Sequence, residues 1–329
     1  MTHNIAIIGA GVSGLTCGVL FAERGFHTAI FAKETGQQTT SAVAAALWFP
    51  YDAEPIDKVI PWALETYRTL VDLSHDSRTG VSMIELRQYS RVREIQIPEW
   101  AISLGASDIP SEGTACPPRR GESRDFTSGF QMRVPLMDTT IYLDYLANRF
   151  LAAGGEIHGD VGFEQLDDVD PASDLVINCA GIGARSLVHD VDLEPHRGQI
   201  VIVPRIDNLS CAIVCDDAPL MYAIPRANDC VFGGTNELSE NLDVDPKWTS
   251  RILDECSGVL KIDKPRVIAE RVGLRPFRKS GVRLEADHLR NGRTLIHNYG
   301  HGGAGFTLSW GCARHVVDLA SYYVTASTT

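Results

Sequence analysis

The segment Asn4-Ile-Ala-Ile-Ile-Gly-Ala-Gly-Val-Ser-Gly14 decides the fold of this chain of 329 residues. Its first five residues form an apolar, isoleucine-rich run, which is typical of a strand buried in a parallel sheet. A Gly-x-Gly-x-x-Gly pattern follows at once, and apolar residues then recur at helical spacing as far as Arg24-Gly25. The apolar run over 26–32 predicts the next strand. Strand, glycine loop, helix and strand within about thirty residues predict a dinucleotide-binding fold.

Each glycine of this pattern has a physical task. Gly9 permits a tight turn, Gly11 lets the backbone approach a pyrophosphate, and Gly14 lets the helix pack closely on the strand. The unpaired amides at the start of the helix then face the phosphates. An acid about twenty residues further on is expected to bind the adenosine ribose, and Glu34 is the candidate. The alternatives are a glycine-rich loop that only packs and, for Glu34, a solvated loop carboxylate.

The composition restricts the function classes. Apolar residues make up 44% and charged residues 22% of the chain, as in globular proteins and unlike disordered ones. Lys and Arg number 30 against 42 Asp and Glu, so the formal net charge is −12. This charge argues against a nucleic-acid partner held by phosphate neutralisation.

The cysteines and the N-terminal apolar stretch bear on location. The eight cysteines are scattered, with no Cys-x-x-Cys pair and no secretion signal, so we expect reduced thiols and a cytoplasmic protein. The uncharged stretch 5–22 is better explained by the glycine loop and its helix than by a membrane span. No membrane partner is therefore expected.

The rest of the chain predicts two parts. Apolar periodicity and chain breakers predict helices over 56–74, 139–152, 246–260 and from about 308, and strands over 174–181, 199–203, 220–224, 230–234 and 294–299. Residues 83–130 are expected to form short strands and long loops. The fold class is therefore α/β, with a Rossmann-like dinucleotide-binding domain and a β-rich, α+β substrate domain. The first domain is predicted over 1–80, 134–194 and 290–329, and the second over 81–133 and 195–289.

Six further segments carry a resemblance to a known family. They are Thr39–Tyr51, Arg197–Gln199, Tyr222–Pro225, Val272–Arg278, Gly281–Glu285 and His297–Thr307. In these segments the chain resembles the D-amino-acid oxidase family, whose motifs occur here in the family's order over nearly the whole chain. Residues 75–130 and 205–217 match least. The last segment together with the Gly-Leu-Arg-Pro motif at 273–276 is the specific part, because many enzymes share the glycine fingerprint.

The resemblance implies a D-amino-acid oxidase-like fold with noncovalently bound FAD. It implies oxidative deamination of a D-amino acid to a 2-oxo acid, with oxygen as the electron acceptor and ammonia and hydrogen peroxide as further products. The expected partners are thus a small D-amino acid and O2, with no metal. No residue is needed as an acid or base, because such a site acts by positioning the substrate against the flavin. A homodimer is compatible with the sequence, which leaves the oligomeric state open.

The family's pattern assigns residues to both ligands. The substrate-binding residues are Tyr51, Tyr222, Arg275 and Gly303. The cofactor-binding residues are Gly9, Gly11, Val12, Ser13, Gly14, Lys33, Glu34, Thr40, Ser41, Ala45, Ala46, Leu47, Val161, Arg275, Gly302, Gly303, Ala304, Gly305, Phe306 and Thr307. In this pattern the substrate amine meets the Gly303 carbonyl, and Thr307 with the backbone of 303–306 contacts the flavin pyrimidine oxygen. The positive end of the last helix would then stabilise the reduced, anionic flavin.

Arg275 is the leading candidate for holding the substrate carboxylate. A guanidinium group can bind a carboxylate through two parallel hydrogen bonds, which fixes orientation as well as charge. The alternative is a structural ion pair with one of the chain's many acids. Tyr222 is expected to place its hydroxyl on the same carboxylate, with packing at a sheet edge as the alternative. His301 invites a role as a base, but we expect a hydrogen-bonded structural histidine.

Three positions depart from the family's pattern. Ala218 stands where many vertebrate members carry a second pocket tyrosine, so a flexible aromatic lid is expected to be missing or short. Phe49 makes one pocket wall more apolar, and Asn236 stands where D-aspartate oxidases tend to carry an arginine. Neutral D-amino acids are therefore the expected substrates. Oxidation of D-aspartate or D-glutamate is the alternative, with Arg226 or Arg278 supplying the missing charge.

Three other functions fit parts of the sequence. Glycine and sarcosine oxidases usually show a different C-terminal flavin segment. An NAD-dependent dehydrogenase fits the glycine fingerprint but not the second half of the chain. A noncatalytic flavin-binding module would keep the cofactor and give no peroxide with any D-amino acid.

Overall fold

The computed structural model describes residues 3–109 and 126–326. The chain forms two compact units. Unit 1 comprises Met1–Val81, Met137–His196 and Leu274–Thr329, and unit 2 comprises Ser82–Leu136 and Arg197–Gly273.

Helices and strands are interspersed along the chain. The α-helices of the described residues are α1 (Val12–Ala22), α2 (Thr40–Val43), α3 (Ile56–Leu73), α4 (Glu99–Ser103), α5 (Thr139–Ala152), α6 (Ala184–Leu187), α7 (Pro246–Leu260) and α8 (Gly305–Ala326). The strands of the same residues are β1 (Asn4–Ile8), β2 (His27–Phe31), β3 (Val81–Ser90), β4 (Ser107–Asp108), β5 (Ser128–Met137), β6 (Glu156–His158), β7 (Leu175–Asn178), β8 (Leu193–Pro204), β9 (Cys211–Cys215), β10 (Met221–Pro225), β11 (Asp229–Gly233), β12 (Glu237–Leu238), β13 (Ala269–Arg278), β14 (Arg283–His288) and β15 (Thr294–Tyr299).

A mostly parallel sheet forms the centre of unit 1. Among the described strands its order is β14-β15-β7-β1-β2-β6, and β14 alone runs antiparallel to its neighbour. In β1, Ile7 lies opposite Ile30 of β2 and Ile177 of β7. All three side chains are fully buried, as expected for parallel strands covered on both faces. The carboxyl end of β1 leads directly into the glycine loop, which is where open α/β sheets bind ligands.

Helix α8 is the long buried helix of unit 1, and it packs against α1 and α3. Gly311 allows the close approach to α3, because a Cβ at this position would overlap the backbone of Trp62. Trp310 Nε1 donates a 2.8 Å hydrogen bond to the Tyr142 hydroxyl on α5, which satisfies both polar groups inside the core. Neither α8 nor any other helix in the described ranges has the length and apolar character needed to cross a membrane.

Unit 2 is built on a mixed sheet. The order of its described strands is β12-β8-β11-β10-β9-β3-β5-β4, and β13 also pairs with β8. Strands β8, β11, β10 and β9 are antiparallel neighbours, whereas β3 and β9 are parallel. Ile213, Ala223, Phe232 and Cys256 lie in its fully buried core, which α7 covers. The predicted antiparallel grouping of 199–203, 220–224 and 230–234 is therefore confirmed.

Two predicted elements differ in extent from the structure. The region 83–130 contains most of β3, a ten-residue strand, and the start of β5, of equal length. Arg87 and Gln88 interrupt the apolar pattern of β3 but are buried beside hydrogen-bond partners. The last helix begins at Gly305 and not near residue 308, because a glycine, which is costly inside a helix, is tolerated at its start.

The predicted domain boundary differs at residues 274–289, which lie in unit 1 and not with the β-rich part. The reason is the pairing of β14 with β15, in which Arg283 lies opposite Tyr299 at one end of the ladder. Hydrophobic alternation predicts that such a segment is a strand but does not say which sheet it joins.

The expectation of reduced cysteines is wrong for one of the seven cysteines in the described residues. Cys211 is disulfide-bonded, while Cys17, Cys179, Cys215, Cys230, Cys256 and Cys312 are free and buried. The remaining residue, Cys116, lies outside the described residues. Spacing along the chain excluded a Cys-x-x-Cys motif, but it does not measure how far apart two thiols lie once the chain is folded.

Candidate functional site

The glycine loop between β1 and α1 is shaped by close backbone contacts. Gly9 has φ +110°, a conformation that favours glycine, and its amide donates to the Phe31 carbonyl at 2.8 Å. A Cβ at Gly9 would collide with the Cys179 carbonyl, and a Cβ at Gly14 would collide with the carbonyl of Gly9. The fold itself therefore requires these two glycines.

Gly11 lies in a more open place. A Cβ built there has one group near it, the Ser41 hydroxyl at 3.0 Å. Ser41 Oγ also accepts a 3.0 Å hydrogen bond from Val12 N in the first turn of α1, and Gly11 is the residue that precedes this helix. First-turn amides favour anions. We therefore expect the pyrophosphate in front of this helix start, in a cradle that a side chain at Gly11 would fill.

A pocket of about 560 Å³ lies where β2 and β6 end. It is lined by Lys33, Glu34, Gln38 and Asp160. The two strands are parallel neighbours, so both bring their carboxyl ends to this pocket. The Val161 amide donates to the Ala32 carbonyl at 3.1 Å, which fixes the chain beyond β6 against the end of β2.

Gln38 and Asp160 are lining residues that the sequence analysis missed. Gln38 lies in a short 3-10 turn, which no motif marks. Asp160 follows β6, a strand of three residues that is too short for a periodic pattern. The signal that could have found Asp160 is an acid placed just beyond a parallel strand. With Glu34 it gives the pocket two carboxylates, which suit hydroxyl groups such as those of a ribose.

The segment 40–47 is anchored to the start of α5. Ala46 has φ +54°, which is uncommon for a residue other than glycine, and its carbonyl accepts a 3.0 Å hydrogen bond from Met137 N. Thr139 Oγ1 donates to the Ala42 carbonyl at 3.1 Å. These bonds hold in place the segment that carries five of the predicted cofactor residues, namely Thr40, Ser41, Ala45, Ala46 and Leu47.

Thr307 uses its side chain inside the protein. Its hydroxyl accepts a hydrogen bond from Phe49 N at 3.1 Å and donates one to the Phe49 carbonyl at 2.9 Å. The groups that remain for a ligand are the backbone amides at the start of α8, which begins at Gly305. A helix start leaves these amides without partners inside the helix and carries partial positive charge. The predicted flavin contact at Thr307 is therefore expected from its backbone.

Unit 1 brings together Tyr51, Arg275 and Gly303, three of the four predicted substrate residues. Gly302 N donates to the Pro276 carbonyl at 2.9 Å, so the strand carrying Arg275 lies beside the turn at 300–303. Gly302 has φ +51°, and a Cβ at Gly303 would lie 2.5 Å from Tyr51 Cδ1. Bare backbone at 302–303 is what allows these three segments to meet.

Tyr222, the fourth predicted substrate residue, lies on β10 in unit 2. Its ring lies over Gly233 and Gly234, where a Cβ at either position would overlap the ring or its hydroxyl. The Cys256 thiol donates to the Tyr222 carbonyl at 3.4 Å. Because β10 lies between β9 and β11, packing at a sheet edge does not account for this tyrosine.

Hydrogen bonds within unit 2 hold the segment that precedes Tyr222 in place. Ser90 Oγ donates to Asp217 Oδ2 at 2.7 Å, and an Arg91 guanidinium nitrogen donates to the Pro219 carbonyl at 2.7 Å. Ala218 lies between these two tethered residues. The ties support the expectation that this segment is not a flexible aromatic lid.

The two arginines considered as sources of a second positive charge have acidic partners of their own. Arg226 donates to both carboxylate oxygens of Asp229, at 2.6 and 2.7 Å. Arg278 donates to Asp190 Oδ2 at 2.8 Å. Burial opposes ionisation of Asp190, but hydrogen bonds from Tyr299 and Arg278 outweigh it and lower the pKa of this carboxyl group. Each guanidinium is thus paired within its own unit.

Two buried histidines lie in and before the turn at 300–303. Burial lowers the pKa of His301 to about 4, and its Nε2 lies 3.1 Å from Asn298 Oδ1. Burial also lowers the pKa of His297 to about 4. A base of this strength is neutral at pH 7 and poorly matched to proton abstraction there. The geometry supports a structural role for His301.

The residues of unit 1 fit a flavin dinucleotide. Helix-start amides at α1 suit a pyrophosphate, and the carboxylates beside Lys33 suit a ribose. The backbone amides at the start of α8 suit the polar edge of the flavin ring. Within 3–109 and 126–326, no group of three or more His, Cys, Asp and Glu side chains is placed to hold a metal ion.

Comparisons with known proteins agree with this fit. The model of the FAD-dependent oxidoreductase family (DAO) matches residues 4–319. The D-amino-acid oxidase of Rubrobacter xylanophilus is 37% identical over 322 residues, which cover 95% of this chain and 94% of that protein. The human D-aspartate oxidase is 31% identical over 349 residues, covering 100% of this chain and 97% of that protein. The crystal structure of glycine oxidase from Geobacillus kaustophilus has a TM-score of 0.80 at 19% identity and covers 98% of this chain and 95% of that one.

Proposed function

The chain belongs to the FAD-dependent oxidoreductase family, and on this premise we propose that it is a D-amino-acid oxidase. It converts a D-amino acid to the 2-oxo acid and ammonia, with O2 reduced to hydrogen peroxide. One observation carries the proposal, the alignment at 37% identity over nearly the full length of both this chain and a D-amino-acid oxidase. The similarity to glycine oxidase, at 19% identity, supports the fold and not the substrate.

A peroxide-coupled assay over all D- and L-amino acids and glycine tests this function. We expect peroxide with D-amino acids and none with the L-enantiomers, and a flavin that is released when the chain is denatured. Peroxide with glycine or sarcosine alone would instead indicate a glycine-type oxidase. Bound flavin without turnover of any D-amino acid would indicate a noncatalytic module.

The protein's own part in the reaction is binding and orientation. FAD, when bound, supplies the two-electron oxidising group. In the site that the family's pattern implies, Arg275 holds the substrate carboxylate through paired hydrogen bonds, and the same pattern assigns the Tyr222 hydroxyl to this carboxylate. The Gly303 carbonyl accepts a hydrogen bond from the amino group, and Tyr51 packs against that turn. Together these contacts fix which face of the substrate α-carbon is turned toward the flavin. Positioning of this kind can contribute much of the rate enhancement.

Neutral D-amino acids are the proposed substrates. A dicarboxylic substrate would need a second cation, and the Asp229 and Asp190 partners already hold Arg226 and Arg278. Recruiting either guanidinium would leave its partly or fully buried acid without a counter-charge, which is costly. Phe49, two residues before Tyr51, makes one wall of the proposed pocket more apolar. Oxidation of D-aspartate or D-glutamate remains the alternative, which the similarity to human D-aspartate oxidase, at 31% identity, supports.

We expect kcat/KM for D-Ala, D-Val and D-Met to exceed that for D-Asp by at least about tenfold, the factor for roughly 1.4 kcal/mol of lost charge compensation. Steady-state kinetics on one preparation with equal flavin content measures this ratio. A kcat/KM for D-Asp above all three neutral substrates would contradict the proposal. In that case Arg226→Met and Arg278→Met, compared at equal flavin content, would show which arginine serves the pocket.

Gly233→Ala is expected to raise KM for D-amino acids by about tenfold while leaving FAD bound, because the new Cβ displaces the Tyr222 ring and misplaced contacts of this kind are costly. Flavin content is measured from absorbance. The dissociation constant of benzoate, a carboxylate inhibitor, is measured from the change that it causes in the flavin spectrum. Gly258→Ala, at an exposed helical glycine in unit 2 with no neighbouring atom near its Cβ position, is the matched control. Normal KM and benzoate binding in Gly233→Ala would remove the Tyr222 hydroxyl from the site.

A cytoplasmic location and the absence of nucleic-acid partners complete the proposal. The formal net charge of −12 and the six free, buried cysteines support it, while the bonded Cys211 counts against a fully reducing compartment. Fractionation of the native cell tests the location. A homodimer is a further proposal, and sedimentation of the FAD-loaded protein tests it.

A further inference from the structure

Asp52, directly after Tyr51, has two unusual features. Its backbone has φ +54°, which is uncommon for a residue with a side chain. Its carboxylate oxygen Oδ2 is sealed from solvent and accepts no hydrogen bond from the described residues. A buried carboxylate oxygen without a donor is costly and calls for a physical explanation. Strain of this kind tends to persist at functional sites.

The backbone of Asp52 supports the turn of the candidate substrate site. A Cβ at Gly302 would collide with the Asp52 carbonyl, so the two backbones are in direct contact. The same turn contacts Tyr51 through Gly303 and the strand of Arg275 through the Pro276 carbonyl. A shift of Asp52 would therefore move the turn on which these groups converge.

His196 provides the compensating group for the Asp52 carboxylate. Its Nδ1 lies 3.8 Å from Asp52 Oδ2, and both side chains are about four-fifths buried, at 20% and 22% exposure. The imidazole also stacks on the ring of Phe277, with centroids 4.4 Å apart and planes inclined by 22°. Phe277 in turn forms a β-bridge with His301, next to Gly302.

We propose that Asp52 and His196 act as a positioning pair for the substrate site. The imidazole compensates the buried carboxylate and, stacked on Phe277, links the segments that carry Tyr51, Arg275 and Gly303. Neither residue belongs to the motifs that define the family resemblance or to the sites assigned above. The role of the pair in catalysis rests on the proposed D-amino-acid oxidase function, whereas its role in holding the 300–303 turn does not.

Three variants test the pair. Asp52→Asn keeps the size and removes the charge, His196→Phe keeps a flat ring on Phe277 and removes Nδ1, and the third variant combines both changes. We expect each single change to retain FAD and to raise KM and the benzoate dissociation constant by about three- to tenfold, the range for the loss of one polar interaction. The kcat per bound FAD should stay within about twofold, because the pair does not touch the reacting atoms.

Coupling between the two residues distinguishes a pair from two separate effects. If they act together, the double variant is no worse than the worse single variant, because both changes remove the same interaction. Additive losses, or normal KM in both single variants, would overturn the proposal. So would a normal His196→Phe beside a defective His196→Ala, since stacking alone would then be sufficient. Asp57→Asn, at an exposed acid in the first turn of α3, is the matched control and should behave as the unchanged protein.

Hydrogen exchange gives a readout that does not depend on turnover. We expect faster exchange of the amides at 301–304 in both single variants than in the unchanged protein or Asp57→Asn. If the unchanged protein oxidises no D-amino acid, the proposed function fails, while the exchange rates still decide the positioning role. Unchanged exchange rates in an active enzyme would overturn the positioning pair and leave the function standing.

Discussion

Arg275→Lys is expected to reduce kcat/KM for D-amino acids by about 10- to 150-fold, since a hydrogen bond to a charged group contributes about 1.5–3 kcal/mol. Lysine keeps the charge but cannot form two parallel hydrogen bonds to a carboxylate. Misalignment of the α-carbon adds to this loss, and Arg275→Ala should be worse than Arg275→Lys. The measurement is kcat/KM per bound FAD, together with the benzoate dissociation constant, which should rise in both variants.

A structural ion pair at Arg275 predicts a different outcome. The variants would then lose flavin and melt at lower temperature, with near-normal kinetics for each molecule that still carries FAD. Flavin content, thermal stability and kcat/KM measured on one preparation separate the two cases. Normal turnover per bound FAD would show that Arg275 does not bind the substrate.

Gly11→Val is expected to abolish FAD binding in a chain that still folds. The position has space for a side chain apart from the Ser41 hydroxyl at 3.0 Å, and that space is the cradle in front of the α1 amides. Overpacking costs about 1–3 kcal/mol, and separating a phosphate from the helix start adds to this, so the FAD dissociation constant should rise by at least about 100-fold. Flavin absorbance after gel filtration and titration of the apoprotein with FAD measure the effect.

Two other glycines serve as controls for this result. Gly14→Ala should lower the melting temperature of the apoprotein itself, because its Cβ collides with the Gly9 carbonyl. Gly258→Val places the same branched side chain on an exposed helix with open space around it, and it should keep its flavin. A Gly11→Val protein that remains fully yellow would show that the pyrophosphate does not occupy this cradle.

The elements that the sequence predicted well are those whose own residues carry the signal. The glycine loop, the helices over 139–152 and 246–260, and the antiparallel strands around 199–234 all have strong local periodicity or clear breakers. The full length of β3 is not predictable because Arg87 and Gln88 are polar, and Gln88 is hydrogen-bonded to Asp216, which lies far away in the sequence. Likewise, nothing in the sequence of β14 says which sheet it joins.

The residues of the candidate site likewise fall into those that the sequence predicts and those that only the fold identifies. Gly9, Gly11 and Gly14 are predictable because their tasks follow from spacing alone, and Arg275 because it lies in a recognisable motif. Asp160 was missed although an acid just beyond a parallel strand is a signal for it. Asp52 could not be predicted, since its importance comes from what the fold places beside it. Thr307 is predictable from its motif, but the hydrogen bonds of its hydroxyl to Phe49, a residue far away in the sequence, are not.

The strand order of unit 1 has a consequence for biosynthesis. Strand β1 is synthesised long before the elements that complete the sheet and its helical layer. Its neighbour β7 pairs with β15, and α1 packs against α8. At about 5–20 residues per second, roughly 15 to 60 s separate the synthesis of β1 from that of β15. The glycine loop therefore lies on an incomplete sheet until β15 and α8, which span residues 294–326, have been made. Flavin capture is expected to begin only after β15 has been synthesised, and pulse-labelled chains truncated before β15 should bind none.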